Sequence, residues 1–138
     1  MPQGPKVGER APKTNLPDLE GKSVKLTDFR GKETLVLFWN PGSGFCERML
    51  PELKEWEANR PQGAPELLVI SAGTSETNKV MGLGSTVVLA QEFAAGRSFG
   101  ASGTPSAVLV DKNGTIASEV AVGAPAVLEL AGAKQTEA

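Results

Sequence analysis

The run Glu33–Trp39 (ETLVLFW) is apolar after its first residues, rich in β-forming side chains, and ends at Asn40-Pro41-Gly42. A stretch of this length and composition reads as a strand buried on both faces, not as an amphipathic edge. Such a strand needs neighbours on either side and a layer above and below it. Directly after the turn a helical pattern starts near Ser43 and continues to about Asn59. Phe45, Met49, Leu53 and Trp56 fall at i, i+4, i+8 and i+11, which predicts one buried face. Pro51 lies inside that helix, where it removes a backbone donor and crowds the preceding turn.

The rest of the chain reads as support for this unit. Residues 1–13 are Pro/Gly/charged and predict a loose lead-in. Asn15–Leu19 and Ser23–Leu26 predict a hairpin around Glu20-Gly21-Lys22, and residues 27–32 a turn with Phe29 pointing inward. Glu66–Ser71 is a second buried strand, followed by a short helix over Ser75–Met81. Thr86–Leu89 predicts another strand and Gln91–Phe99 a helix with Phe93 and Phe99 in the core. Ser106–Val110 is the next strand. Asn113-Gly114 behind it is a strong hairpin signal, with Thr115–Val122 as the expected antiparallel partner. Ala124–Ala131 predicts a terminal helix, and residues 132–138 a frayed tail. Gly82-Leu83-Gly84 is no dinucleotide fingerprint, since the third glycine and the preceding strand are missing. The order predicts one α/β domain over residues 1–138, with its core at about 7–131. Its mixed sheet has central parallel strands, an antiparallel edge and helices on both faces.

Composition removes several functions. The net charge is −2 and no basic stripe is present, which argues against nucleic acid as a partner. One cysteine excludes an internal disulfide, and the lack of histidine excludes His–Cys catalysis and His-ligated metal. No carboxylate cluster suggests a Ca or Mg loop. No apolar run is long enough for a membrane span, and the first residues lack the apolar core of a signal peptide. Two settings stay open: a cytoplasmic protein, or a soluble piece of a longer exported or tethered chain.

Trp39-Asn40-Pro41-Gly42-Ser43-Gly44-Phe45-Cys46 at the end of a buried strand resembles the active site of the thioredoxin fold, where a Cys-x-x-Cys opens the following helix. Pro51, five residues past Cys46, matches the kink proline. Thr104-Pro105 matches the cis-proline loop that faces the site. The segment VGERAP…LPDLEGKSVKLTDFRGK resembles the N-terminal hairpin of the redoxin and TlpA-like thiol-disulfide oxidoreductases, and the similarity covers about residues 7–130. The resemblance implies a thioredoxin-like three-layer fold and exchange with protein disulfides or dithiols. It also implies a thiol electron donor, no cofactor and no metal. A setting outside the cytoplasm follows from it too, with membrane contact only through a tether outside this chain.

The resemblance places the attacking thiol at the position of Ser43 and the resolving thiol at Cys46. Trp39, Pro41, Thr104 and Pro105 would border the substrate, with the Thr104 backbone pairing an extended segment by strand addition. Phe45, between the two positions, would tune the couple. Many relatives carry an acidic residue where this chain has Thr74 and Ser75, with Glu76 nearby. Ser43 is also a good helix N-cap. Its hydroxyl has no ionised form near neutral pH, and no histidine is present to deprotonate it. The chain as written is therefore expected to be inactive as a dithiol reductase. Two origins stay open for Ser43: a cysteine replaced for study, or a natural loss. Two further functions remain. Ser43-Gly44-Phe45-Cys46 also matches the Thr/Ser-x-x-Cys of peroxiredoxins, but Trp39 stands where their proline falls and Pro105 occupies the region of their activating arginine. A non-catalytic binding module that keeps the groove is the other.

Overall fold

The computed structural model describes residues 4–132. β3 (Thr34–Trp39) lies at the centre of a five-stranded sheet ordered β5-β4-β3-β6-β7. It runs parallel to β4 (Glu66–Ser71), which runs parallel to β5 (Thr86–Leu89). On its other side it is antiparallel to β6 (Ser106–Val110), which pairs with the short β7 (Ala121–Val122). Every residue of β3 is buried, as the apolar run requires. The thioredoxin-like α/β architecture predicted above is therefore the one observed.

Strand alternation divides the core in two. Leu35, Leu37 and Trp39 face the layer formed by α1 (Gly44–Ala58) and α4 (Ala124–Leu130). Val36 and Phe38 face the opposite layer, which includes Phe99 just after α3 (Ala94–Ser98) and Leu26 behind the N-terminal hairpin. That hairpin is β1 (Asn15–Pro17) paired antiparallel with β2 (Ser23–Lys25), followed by a 3-10 turn at Leu26–Phe29. α2 (Ser75–Val80) follows β4. The Trp56 indole N–H donates to the Ala131 carbonyl at 3.0 Å and fastens α1 to the end of α4.

Several expectations need correction. Phe45 is not on the buried face of α1; it is 67% exposed. Cys46 takes its place, and the buried face reads Cys46, Met49, Leu53, Trp56. The first turn sets this phase: Ser43 must be the cap, so the inward direction falls one residue later. The lead-in is not loose from residue 8 onward. The Gly8 and Ala11 N–H groups bond the Ile116 and Gly114 carbonyls, and the Ile116 N–H returns a bond to Glu9. Thr115–Ile116 therefore pairs on both sides, and Thr115–Val122 is not one continuous strand. The Ser118 hydroxyl accepts the Leu109 N–H at 2.9 Å where a backbone carbonyl would otherwise stand. At Asn113-Gly114 only the glycine takes positive φ. Asp111 organises this turn instead, its carboxylate accepting from the N–H groups of Asn113 and Thr115. α3 is shorter than expected, Leu26 is buried where Phe29 is only half-buried, and the tail beyond residue 132 lies outside the described residues.

Leu53 is 1% exposed in the α1 layer. Leu53→Ala should cost about 3 kcal/mol through lost transfer energy and a residual cavity. A lower urea midpoint at unchanged slope would show it; an unchanged midpoint would contradict the packing described.

Candidate active site

The site is built where β3 hands over to α1. The Asn40 side-chain oxygen accepts the Gly42 N–H at 2.8 Å, and its carbonyl accepts the Ser43 N–H at 2.9 Å. An Asn at this position closes the turn through its own side chain, and Pro41 restricts it further. Ser43 keeps an extended backbone and caps α1. Its hydroxyl accepts the Cys46 backbone N–H over a long 3.5 Å, while the Glu47 N–H bonds the Ser43 carbonyl at 2.9 Å. The missing N–H of Pro51 leaves the Glu47 carbonyl without its usual helical donor.

Cys46 is fully buried. Desolvation pushes its thiol pKa up. The polar groups nearby, the Asn40 backbone and the Thr104 and Ser43 side chains, oppose that shift without cancelling it. Thr104 comes from the loop ahead of β6, and the Thr104–Pro105 peptide is cis, as the resemblance implies. The structure thus brings Ser43, Cys46, Thr104 and Pro105 together from two distant parts of the chain. A cavity of about 170 Å³ opens beside Asn40 and Thr104, against Ala90, Gln91 and Phe93.

Trp39 lines the same cavity as Asn40 and Thr104, but from within the core. Its side chain is 2% exposed, and its indole N–H points to the Met81 sulfur at 3.1 Å. It supports the turn from below. The exposed aromatic beside the site is Phe45, with the Arg48 guanidinium 5.0 Å from its ring centre. Thr74 caps α2 by accepting the Thr77 N–H at 3.0 Å, and the Ser75 hydroxyl donates to the Leu19 carbonyl. Glu76 is exposed. No carboxylate is among the groups that shift Cys46, and Thr74 and Ser75 serve the cap of α2 and a loop contact instead.

The profile of the AhpC/TSA family matches residues 7–119. The chain belongs to the AhpC/TSA family. This AhpC/TSA domain is 31% identical over 115 residues to the thiol-disulfide oxidoreductase ResA of Geobacillus thermodenitrificans, covering 80% of this chain and 66% of that protein. The chain therefore spans about two thirds of that relative's length. Among solved structures it resembles the thioredoxin domain of a thiol-disulfide oxidoreductase from Bacteroides vulgatus, at 26% identity and a TM-score of 0.71, covering 91% of this chain and 95% of that one. A putative thioredoxin from Neisseria meningitidis gives 32% identity and a TM-score of 0.66, covering 83% and 81%. Within the AhpC/TSA family the domain is of the TlpA-like, thioredoxin-fold kind.

Sequence reasoning missed two contributors. It assigned Thr104 a backbone role, whereas its side chain also opposes the rise in the Cys46 pKa. It also passed over Asn78, which is 1% exposed and donates to the carbonyls of Ala72 and Thr74 at 2.9 and 2.8 Å. Those bonds fix the loop behind β4. The available signal was an amide four residues after a Thr cap, a pattern too common to stand out.

A buried, protonated thiol reacts slowly. Maleimide labelling of Cys46 in buffer should run on the order of a hundredfold slower than in urea, equivalent to about 2.8 kcal/mol of local opening at about 1.4 kcal/mol per tenfold. Equal rates would refute the burial. The raised pKa also fixes a sign. The neutral thiol's contribution to stability is fully present below the unfolded thiol's pKa of about 8.5 and is lost as pH rises through the folded value. Urea unfolding from pH 7 to 10 should show that alkaline decline, and Cys46→Ala should flatten it.

Proposed function

We propose that this domain is a thiol-disulfide oxidoreductase unit whose two-thiol couple belongs at positions 43 and 46. The observation that carries this is the seat of position 43, which caps α1 at the N–H of the fully buried Cys46, with Asn40 of the same turn and Thr104 of the cis Thr104–Pro105 loop lining one cavity. Position 43 is the more accessible of the pair and lies at the start of a fifteen-residue helix. A thiol there would gain from the helix N-terminus, which favours the thiolate. Cys46, one turn in and protonated, suits the second role.

With a cysteine at 43 the exchange balances as follows. Its thiolate attacks one sulfur of a protein disulfide, forming a mixed disulfide and releasing a substrate thiolate. Cys46 then loses its proton and attacks the sulfur at position 43. The 43–46 disulfide forms, the second substrate thiolate leaves, and two electrons have passed to the substrate. A thiol donor reverses the change in the domain. The exposed edge at Gly103–Thr104, ahead of the cis Pro105, is where an extended substrate segment would pair. Pro41 would border that edge, as the resemblance implies. The serine form cannot begin the sequence, because a hydroxyl supplies no comparable nucleophile.

Cys46 as a peroxidatic thiol is less well supported, since it is fully buried with its pKa raised. Peroxide chemistry requires an accessible thiolate. An extracytoplasmic setting for the parent protein rests on the resemblance, and no helix among the described residues is long and apolar enough to cross a membrane.

Three forms of the domain test the proposal. The chain as it stands should not reduce insulin in the presence of dithiothreitol above the reagent's own rate. Ser43→Cys should reduce it, and Ser43→Cys combined with Cys46→Ser should accumulate a mixed disulfide visible by mass. No gain in Ser43→Cys, with the fold intact, would refute the assignment. Hydrogen peroxide consumed by the unmodified chain, with Cys46 trapped as the sulfenic acid, would favour the peroxidase reading.

A further inference from the structure

A second concave site lies at the far end of β3 from Cys46. Thr34 and Val110, paired in register, mark its inner wall. Trp39 is five residues further along the strand, about 17 Å away at roughly 3.3 Å per residue. The cavity measures about 460 Å³, within the range of about 300–1,000 Å³ that small-molecule sites occupy. Leu26, Phe29 and Pro12 give it an apolar floor.

Its charge is unlike that of the rest of the chain. Arg10, Lys13, Lys25 and Arg30 all line it, against one carboxylate, Asp111. That is a local excess of three positive charges on a chain whose net charge is −2. None of the four cations has a salt-bridge partner among the described residues, where the ion pairs are Arg60–Glu66 and Lys79–Glu20. Asp111 is already committed: it accepts from the Asn113 and Thr115 N–H groups and from the Thr115 hydroxyl. The Arg30 guanidinium lies against the turn, with its Nε 3.6 Å from where a β-carbon on Gly114 would stand, an ordinary contact distance. Lone surface lysines are ordinarily just solvated. Four unpaired cations around one apolar hollow are a different arrangement, because a bound anion would be partly shielded from water.

We propose that this cavity binds a small organic oxyanion, an apolar or aromatic body carrying a phosphate or carboxylate. The body lies on Leu26 and Phe29, and the oxyanion is held among Arg30, Lys25 and Arg10. Arginine's planar fork matches either headgroup in two-point contact. The site shares no residue with the Cys46 centre and does not depend on the redox assignment.

The test uses the full chain, amide NMR and three probes of one shape: 1-naphthyl phosphate, 1-naphthoate and the neutral 1-naphthol. Either oxyanion should shift amides in 10–14, 25–30 and 110–114, and the ratio of the two affinities identifies the preferred headgroup. Naphthol should bind at least about tenfold more weakly. Arg30→Met, which keeps the apolar stem, should weaken the phosphate by about tenfold. Raising salt on the unmodified chain should weaken it too, with no variant needed. No shifts at about 5 mM ligand, a response centred on Cys46, or equal binding of naphthol would each overturn the proposal.

Discussion

The burial of β3 on both faces is the constraint from which the rest of the molecule follows. A strand with no exposed residue must find backbone partners on both edges, and it does so in β4 and β6. It must also be covered above and below. The alternation of Leu35, Leu37 and Trp39 with Val36 and Phe38 assigns α1 and α4 to one side and the N-terminal hairpin and α3 to the other. Because the strand is enclosed, its carboxyl end is one of the few places where its backbone direction can be used by chemistry. Asn40 turns the chain within three residues, and the helix that follows presents its first N–H groups toward the same point. The site is thus a consequence of how an interior strand has to end.

Much of this was legible in the sequence, for reasons that differ by element. Interior strands declare themselves because a continuous apolar run has few other stable uses, and Glu66–Ser71 and Ser106–Val110 have the predicted bounds. The helix over 44–58 declared itself by its cap, its Pro/Gly turn and its spacing. What failed was phase and partnership. Phe45 was placed inward because it falls four residues before Met49 on one helical spacing, yet the cap at Ser43 sets the register and the smaller Cys46 points in. The lead-in looked unstructured because its pairing is supplied by residues 114–116, a hundred positions away, which no local pattern encodes. Asn113-Gly114 indicated a tight turn, but Asp111 could accept several N–H groups at once and favoured a longer one. The chemistry at Cys46 was legible as proximity to position 43. The Thr104 hydroxyl was not, because a threonine before a proline carries no signal for which of its polar groups will be used.

The two ends of β3 also contrast in how they treat charge. At Cys46 the fold removes water, and burial raises the thiol pKa despite the opposing polar groups of Asn40, Thr104 and Ser43. At the other end the same sheet supports a hollow with Arg10, Lys13, Lys25 and Arg30 at its rim. Desolvation is affordable in the first case because a thiol can shed its charge by keeping a proton, while a guanidinium has no such escape at any ordinary pH. The fold accordingly buries the group that can be neutral and leaves the permanent cations at a wet margin.

Position 43 shows how stability and reactivity separate in such a scaffold. The fold asks that residue for an extended backbone, a small side chain and an acceptor for the Cys46 N–H. A serine hydroxyl meets all three demands, and serine is among the preferred N-caps. The proposed chemistry asks the same atom for something else: an ionisable sulfur that the helix terminus can hold as an anion. Oxygen for sulfur therefore removes the proposed nucleophile while leaving the turn, the cap and the packing of Cys46 in place. The helix N-terminus serves both purposes through the same N–H groups, which bond to whichever acceptor sits there. Ser43 is consequently a position at which the architecture would look the same with or without the proposed nucleophile.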